Sequence, residues 1–365
     1  MTWAAPVLAL EKSDAVDLIL IGTVVGVAAT IVLVLVVRAV MKRGGAPASD
    51  DRVGPYTLDA KIGEGGMGEV YRGHHHILRR ATAIKTLRLD QADEEGKSRF
   101  EQEVQLTGQL RHPNTVAVYD YGHADDGRFY YAMEYLTGAP LESVVRKTGP
   151  LPPGRAIHLL RQLCGSLSEA HGIRLIHRDV KPSNLILCVR GGVYDWLKVV
   201  DFGLVKDVGN DLDELAIKSG HIAGTPLYMA PEALIPKFKH DGRQDIYAIG
   251  AVGYYMLTGT HVFDAADPVA IARAHIKEAP EPPSKRIGEA IEPTLEALIL
   301  RCLEKKPEAR PPTAGALARE LEACPQAGEW TPSQAQAWWI QHEAQLGIPE
   351  PLQHAEATSA FFLRS

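Results

Sequence analysis

The sequence predicts an α+β fold of two unequal lobes, a small β-rich lobe followed by a larger helical one, preceded by one membrane-spanning helix. Three observations carry this expectation. Short β-rich runs come first, at Tyr56 to Ile62, Glu69 to His75 and Thr82 to Leu87, and a charged helical stretch follows from Glu94 to Leu110. Long helical patterns then dominate from Pro152 to about Ala323, broken by two hairpin-like runs around Asn184 and Lys198. Ahead of both lies an uncharged apolar run at 18–37.

Length and composition narrow the alternatives. The chain has 365 residues, 45% of them hydrophobic and 23% charged, enough for a sizeable core. A disordered tail protein and a disulfide-stapled mini-protein are excluded. With 39 basic against 45 acidic side chains, the net charge of -6 gives no electrostatic footprint for nucleic acid. Cys164, Cys188, Cys302 and Cys324 are far apart with no CxxC pairing, so packed thiols are expected rather than a zinc or redox site.

The apolar run LILIGTVVGVAATIVLVLVV contains no charge and no proline. At ~1.5 Å per residue it spans ~30 Å, the thickness of a bilayer core. A cleaved signal peptide has a basic start and a shorter apolar stretch, whereas Glu11, Asp14 and Asp17 precede this run. Only Lys12 is basic before it, and Arg38, Lys42 and Arg43 follow at once, which places the C-terminal side in the cytoplasm of a single-pass protein of the cell (inner) membrane. The expected order is a short extracytoplasmic N-terminus (1–17), the membrane helix (18–37) and a Gly/Pro/Ser-rich linker (38–55). Gly22, Gly26 and Thr30 recur every four residues and offer a face for homodimerisation.

Folded sequence begins near Tyr56, and its motifs carry chemistry. Between the first two strand runs stands Gly63-Glu64-Gly65-Gly66-Met67-Gly68-Glu69-Val70. Glycine lets backbone N–H groups approach phosphate oxygens with no Cβ in the way, and Val70 would lie against a base. A strand follows, not a helix, which argues against a dinucleotide site. Lys85 ends the run Ala83-Ile84-Lys85, and Glu103 lies on the charged helix. A lysine inside a sheet is costly unless it meets anions, here phosphate on one side and the Glu103 carboxylate on the other. His177-Arg178-Asp179-Val180-Lys181-Pro182-Ser183-Asn184 and Asp201-Phe202-Gly203 complete the set. Two carboxylates and an amide suit a site that accepts a hydroxyl proton and holds Mg²⁺, with Asp201 and Asn184 as the metal ligands.

In order and spacing these motifs resemble those of eukaryotic-type serine/threonine protein kinases, of the kind that bacteria anchor in their membranes. The resemblance implies a protein kinase domain at 56–323, with an N-lobe at 56–136, a C-lobe at 137–323 and ATP in the cleft between them. It implies that Gly63, Gly65 and Gly68, with Glu64, Gly66 and Met67 between them, cover the phosphates. Lys85 then holds the α and β phosphates, Glu103 positions Lys85, and Ile62, Val70, Ala83 and Ile186 sandwich the adenine. Met133 falls at the gatekeeper position, so Glu134 and Leu136 offer hinge backbone to the base. Asp179 is the implied catalytic base, and Lys181 marks serine/threonine rather than tyrosine kinases. The implied cation is Mg²⁺, with Mn²⁺ as the alternative, and the implied substrates are proteins with Ser or Thr acceptors. Ala230-Pro231-Glu232 closes the activation segment, Glu232 pairs with Arg310, and Asp245 braces the catalytic loop.

Arg178 before Asp179 is that family's sign of control by phosphorylation of the activation segment, where Ser219 and Thr225 are the candidates. Ser183 stands where kinases selecting basic substrates often carry an acid, which weakens that specificity here. An N-terminal anchor also departs from the common bacterial order of kinase, span and external sensor. His74, His75 and His76 are consecutive and cannot all face one metal, so a solvated turn is expected. One rival reading is a pseudokinase or membrane scaffold, which loss of Lys85, Asp179 or Asp201 would favour. Another is a small-molecule kinase, against which the complete activation segment argues. The last residues, 324–365, hold three of the five tryptophans, Trp330, Trp338 and Trp339. Thr331-Pro332 reads as an N-cap and first turn, after which Ala335, Trp339 and Leu346 fall near one helix face. Packing on the larger lobe is expected, with a partner-docking or autoinhibitory helix as the alternative.

Overall fold

The computed structural model describes residues 52–65, 68–87, 101, 104–124, 127–202, 226–235 and 240–348. The apolar run at 18–37, with Gly22, Gly26 and Thr30, lies outside the described residues. So do Gly66, Met67, Glu103, Ser219 and Thr225. Among the described residues no helix is long and apolar enough to cross a membrane. From Val53 onward, both lobes fall in one compact unit.

The small lobe is a six-stranded sheet of β1 (Arg52–Val53), β2 (Tyr56–Gly65), β3 (Gly68–His75), β4 (Ala81–Leu87), β5 (Val118–His123) and β6 (Phe129–Glu134). From β2 onward the order is β2-β3-β4-β6-β5, each neighbour antiparallel. The three expected strand runs coincide with β2, β3 and β4. Side chains alternate along β6 and serve both faces of the sheet. Phe129, Tyr131 and Met133 pack with Ala83, Val104 and Val116, while Tyr130 and Ala132 pack with Val53, Tyr56 and Ile84. The three histidines go separate ways: His74 Nδ1 meets Asp59 at 3.0 Å, the His75 ring lies edge-on to Tyr56, and His76 Nδ1 meets the Pro55 carbonyl at 2.8 Å.

In the larger lobe, β7 (Gly138–Pro140), β8 (Leu185–Arg190) and β9 (Val193–Val199) make a second antiparallel sheet, and β8 and β9 are the two hairpin-like runs of the sequence. Around it stand α1 (Leu141–Thr148), α2 (Pro153–Gly172), α3 (Arg243–Thr258), α4 (Pro268–Lys277), α5 (Pro283–Ile287), α6 (Pro293–Cys302), α7 (Ala314–Glu322) and α8 (Pro332–Leu346). Pro153 opens α2 at a position where no N–H is needed. Ala156, Leu160, Leu163, Leu167 and Ala170 recur at three- and four-residue steps, so one face of α2 meets the core. α3 is buried from Gln244 to Thr258, as a helix inside a core must be. Gly250 and Gly253 allow its close approach to α6, since a Cβ there would stand 2.6 Å from Cys302 Cβ and from Ile299 Cδ1. All four cysteines are buried free thiols, and burial raises the pKa of each.

The tryptophan segment belongs to this lobe. Thr331 and Gln334 form a reciprocal cap, Thr331 N–H donating to Gln334 Oε1 at 2.8 Å and Gln334 N–H to Thr331 Oγ1 at 3.3 Å. α8 then packs against β9 and α1. Trp339, Ala335 and Leu346 are buried, the first completely. Trp339 Nε1 donates to Asp195 Oδ1 at 2.7 Å, and Trp330 Nε1 to Asp195 Oδ2 at 2.8 Å. Arg155 on α2 donates to the same carboxylate through Nε and Nη2, at 2.8 and 2.7 Å, and its guanidinium lies 3.6 Å from the Trp338 ring centre. Three tryptophans thus close over a fully buried ion pair.

One buried histidine makes the fold acid-sensitive. His275 on α4 is buried, with Nδ1 2.8 Å from the Tyr247 hydroxyl. Burial, reinforced by the Lys305 charge, pushes its pKa from 6.5 down to about 3. The unfolded chain therefore takes up a proton that the folded chain refuses, so stability held above about pH 6.5 is lost as pH falls toward 3. Burial lowers His112, His158, His177 and His261 in the same direction. Between about pH 7.5 and about pH 5.5 the urea unfolding free energy is expected to fall, His275 alone contributing about 1.4 kcal/mol. A midpoint that does not move over this range would contradict the assignment.

Candidate active site

The sheet register gathers one wall of the cleft. Val70 of β3 pairs with Lys85 of β4, and Lys85 pairs with Tyr131 of β6. Directly opposed residues share a face, so all three lie on the same side of the sheet. Ala83 and Met133, partners two residues along, share that face too. Lys85 Nζ donates to Asp201 Oδ1 at 2.7 Å, and the Tyr131 hydroxyl donates to the same oxygen at 3.1 Å. Burial, and then the Asp201 charge, raises the Tyr131 phenol well above its ordinary value, so the hydroxyl remains a donor. The anion that Lys85 meets is therefore Asp201; Glu103, its expected partner, lies outside the described residues.

The opposite wall is built by a loop that doubles back. A single 3-10 turn, Pro182–Asn184, returns Asn184 onto Asp179. Asn184 Nδ2 donates to Asp179 O at 2.9 Å and to Asp179 Oδ2 at 3.0 Å. Lys181 Nζ reaches Asp179 Oδ2 at 2.8 Å. Arg178 has φ 61°, a left-handed conformation costing of order 1–3 kcal/mol in a residue of this size. Asp245 holds that turn, receiving the His177 and Arg178 N–H groups at 2.9 Å each and His171 Nε2 at 2.8 Å. Burial pushes the Asp245 carboxyl up, but the bond and charge of His171, with His177, prevail and keep it below the usual carboxylate range.

The two walls are tied together. Val200 N–H donates to the Asn184 carbonyl at 3.0 Å, His177 Nε2 lies 3.2 Å from the Val200 carbonyl, and the His177 ring packs 4.5 Å from that of Phe202. Asp179, Asn184 and Asp201 therefore ride on adjoining, hydrogen-bonded segments. At the rear, Glu134 ends β6, with its carboxylate between Lys198 at 2.7 Å and Arg190 at 2.8 Å. Val70 and Leu136 flank Ala83 and Met133 in one apolar cluster. Gly63 stands opposite Val70 in the β2–β3 pair, with Glu64, Gly65 and Gly68 completing the turn. Ile186 is half-buried on β8 opposite Pro140, whereas Ile62, 50% exposed, is not packed with the others. Below the cleft, Arg310 grips Glu232 with two bonds of 2.6 and 2.8 Å, the pair expected from the sequence.

These residues fit a divalent cation and a polyphosphate. Asn184 Nδ2 is committed to Asp179, which leaves its amide oxygen for a cation, and Asp201 supplies a carboxylate beside it. Lys85 supplies the positive charge that phosphate oxygens require. Sequence reasoning missed Tyr131, whose signal was the aromatic run Phe129-Tyr130-Tyr131 two residues before Met133. It also missed His171, which stands six residues before His177 and outside the motif that begins there.

Comparison with known proteins agrees with the geometry. Residues 56–321 match the family model described as protein kinase domain. The serine/threonine-protein kinase pkn3 of Myxococcus xanthus is 39% identical over 285 residues, covering 76% of this chain and 52% of that protein. PknB of Mycolicibacterium smegmatis is 38% identical over 273 residues, covering 73% of this chain and 42% of its own. The chain thus spans about half the length of these curated relatives. The crystal structure of the PknI kinase domain of Mycobacterium tuberculosis superposes with a TM-score of 0.59 at 27% identity, over 77% of this chain and all of that one. A match that runs through both lobes, and includes every motif that builds the cleft, makes this chain a member of the protein kinase family.

Proposed function

We propose that this chain is an ATP-dependent serine/threonine protein kinase, held at the cell membrane by 18–37 with its lobes in the cytoplasm. The observation that carries the catalytic reading is the Lys85–Asp201 contact of 2.7 Å beside the Asp179–Asn184 contact of 3.0 Å, from segments far apart in sequence. In this reading Lys85 orients the α and β phosphates, with Gly63, Glu64, Gly65, Gly66, Met67 and Gly68 as their cover. Glu134 and Leu136 present backbone to the adenine, and Ile62, Val70, Ala83 and Ile186 enclose it. Asp179 orients the acceptor hydroxyl and takes its proton as the γ-phosphoryl group passes to that oxygen, its bond to the β,γ-bridging oxygen breaks and ADP leaves. Lys181, bonded to Asp179, is placed to neutralise charge on the group in transfer. Asn184 and Asp201 would hold Mg²⁺, or Mn²⁺ in its place, and the cation would offset the negative charge of the phosphates.

Mass spectrometry after incubation of the full chain with Mg²⁺ and ATP tests this directly. Phosphate on Ser or Thr, with Ser219 and Thr225 as the first candidates, is the expected result; an unchanged mass in the presence of a protein acceptor that also stays unmodified would refute it. The anchor is supported by the length of the apolar run and the basic residues after it. Alkaline carbonate should leave the full chain in the membrane pellet, and release into the supernatant would contradict an integral span. Dimerisation through Gly22 and Gly26 would raise the local concentration for phosphorylation in trans. Self-association of 18–37 that survives Gly22→Leu with Gly26→Leu would remove that proposal.

A further inference from the structure

The back wall of the cleft carries a hydroxyl that the family reading leaves without a role. Tyr131 is only 3% exposed and sits on the central strand β6, directly opposite Lys85 in the register. Its ring is held by the apolar cluster of Phe129, Met133, Ala83, Val104 and Val116. Its hydroxyl is 3.1 Å from Asp201 Oδ1, the same oxygen that takes Lys85 Nζ at 2.7 Å. Lys85 Nζ also lies 5.9 Å from the centre of the Tyr131 ring, so the tyrosine borders both members of the pair.

Asp201 needs such support. Its φ of 54° is in the left-handed region, which aspartate visits more readily than most residues but which is still a minority conformation that its surroundings select. The next described residue, Phe202, is fixed by the His177 ring, which secures the backbone on one side. The side chain is secured by Lys85 and Tyr131. Lysine is a flexible stem that also has phosphate to meet, whereas tyrosine is a rigid ring seated in a packed core. Both donors take Oδ1, so the carboxylate can present Oδ2 to a cation without giving up either bond.

We infer that Tyr131 is a positioning residue for the metal ligand Asp201, its hydroxyl fixing Oδ1 so that Oδ2 faces the cation that accompanies ATP. The inference rests on the kinase reading above. Partners one shell outside a metal typically change its affinity by about 10–100-fold when removed, and Lys85 remains on Oδ1, so an effect of about tenfold is expected for the loss of this hydroxyl.

The test uses the full chain, a non-hydrolysable ATP analogue and isothermal titration, with Mg²⁺ present and again in EDTA. Tyr131→Phe is expected to weaken binding of the Mg²⁺ complex about tenfold while leaving the metal-free affinity unchanged. Tyr131→Leu, which also lacks the hydroxyl but changes the packing, is expected to show the same ratio of the two affinities. A Tyr131→Phe protein whose two affinities are both unaltered, or both weakened equally, would overturn the inference alone. An unaltered chain that binds the analogue under neither condition would overturn the kinase reading and this inference with it.

Discussion

Asp179→Asn is expected to transfer phosphate about 10²–10⁴-fold more slowly than the unaltered chain, the contribution of a positioned general base. The substitution preserves shape and removes only the proton-accepting charge. Asn184 Nδ2 keeps its bond to the Asp179 backbone carbonyl at 2.9 Å, and the left-handed turn at Arg178 stays held by Asp245. The lost ion pair with Lys181 is 40% exposed on the lysine side, where such pairs contribute little to stability. The proposed nucleotide contacts come from other residues, so kcat should fall while the KM for ATP is largely kept. Steady-state kinetics with a fixed protein acceptor would check both parameters. A variant that keeps kcat within tenfold would remove Asp179 from the chemistry.

Trp339→Ala is expected to destabilise the larger lobe by at least about 3–5 kcal/mol, the usual loss for emptying a buried aromatic site. The indole is completely buried, and it also supplies one of the four hydrogen bonds to the Asp195 carboxylate. Without it the Arg155–Asp195 pair loses a hydrogen bond and gains a cavity at its side, and a buried ion pair tolerates neither. Trp339→Phe separates the two effects. It restores most of the packing but not the N–H, and a hydrogen bond to a charged group contributes about 1.5–3 kcal/mol. Urea unfolding of the two variants should therefore rank Ala below Phe and both below the unaltered chain. A Trp339→Ala protein within about 1 kcal/mol of the original would mean that α8 is not part of the folded core.

The same helix shows what a sequence can disclose. Thr331, Pro332, Ala335, Trp339 and Leu346 announced an N-capped helix with one apolar face, whereas the reciprocal cap also needs Gln334, which the sequence reading did not single out. Their partner could not be read, because Asp195 lies in a β-hairpin more than a hundred residues earlier. It sits at φ 53° in the middle of β9, a conformation that aspartate tolerates and no strand pattern reveals. Likewise β2, β3 and β4 were legible as β-rich runs around a glycine turn. β5 and β6 were not, since β6 is covered on both faces and its run Phe129-Tyr130-Tyr131-Ala132-Met133 shows no alternation of apolar with polar residues.

The motifs were more legible than the scaffold that gathers them. Lys85, Asp179, Asn184 and Asp201 stand in short motifs, so a local reading singles them out, and the fold brings them to one cleft. What holds them is distributed. Asp245 reaches His177 and Arg178 from α3, His171 reaches Asp245 from the end of α2, and Tyr131 reaches Asp201 across the sheet. Those contacts depend on register and helix packing, which no single window of sequence contains.

The central claim is that these residues form a working phosphoryl-transfer site, and γ-labelled ATP measures it most directly. The full chain, incubated with Mg²⁺ and a generic protein acceptor beside the Asp179→Asn variant, should place acid-stable label on serine or threonine, with the variant at least about 100-fold slower. Label that never exceeds the variant, on the chain itself or on the acceptor, would contradict the account.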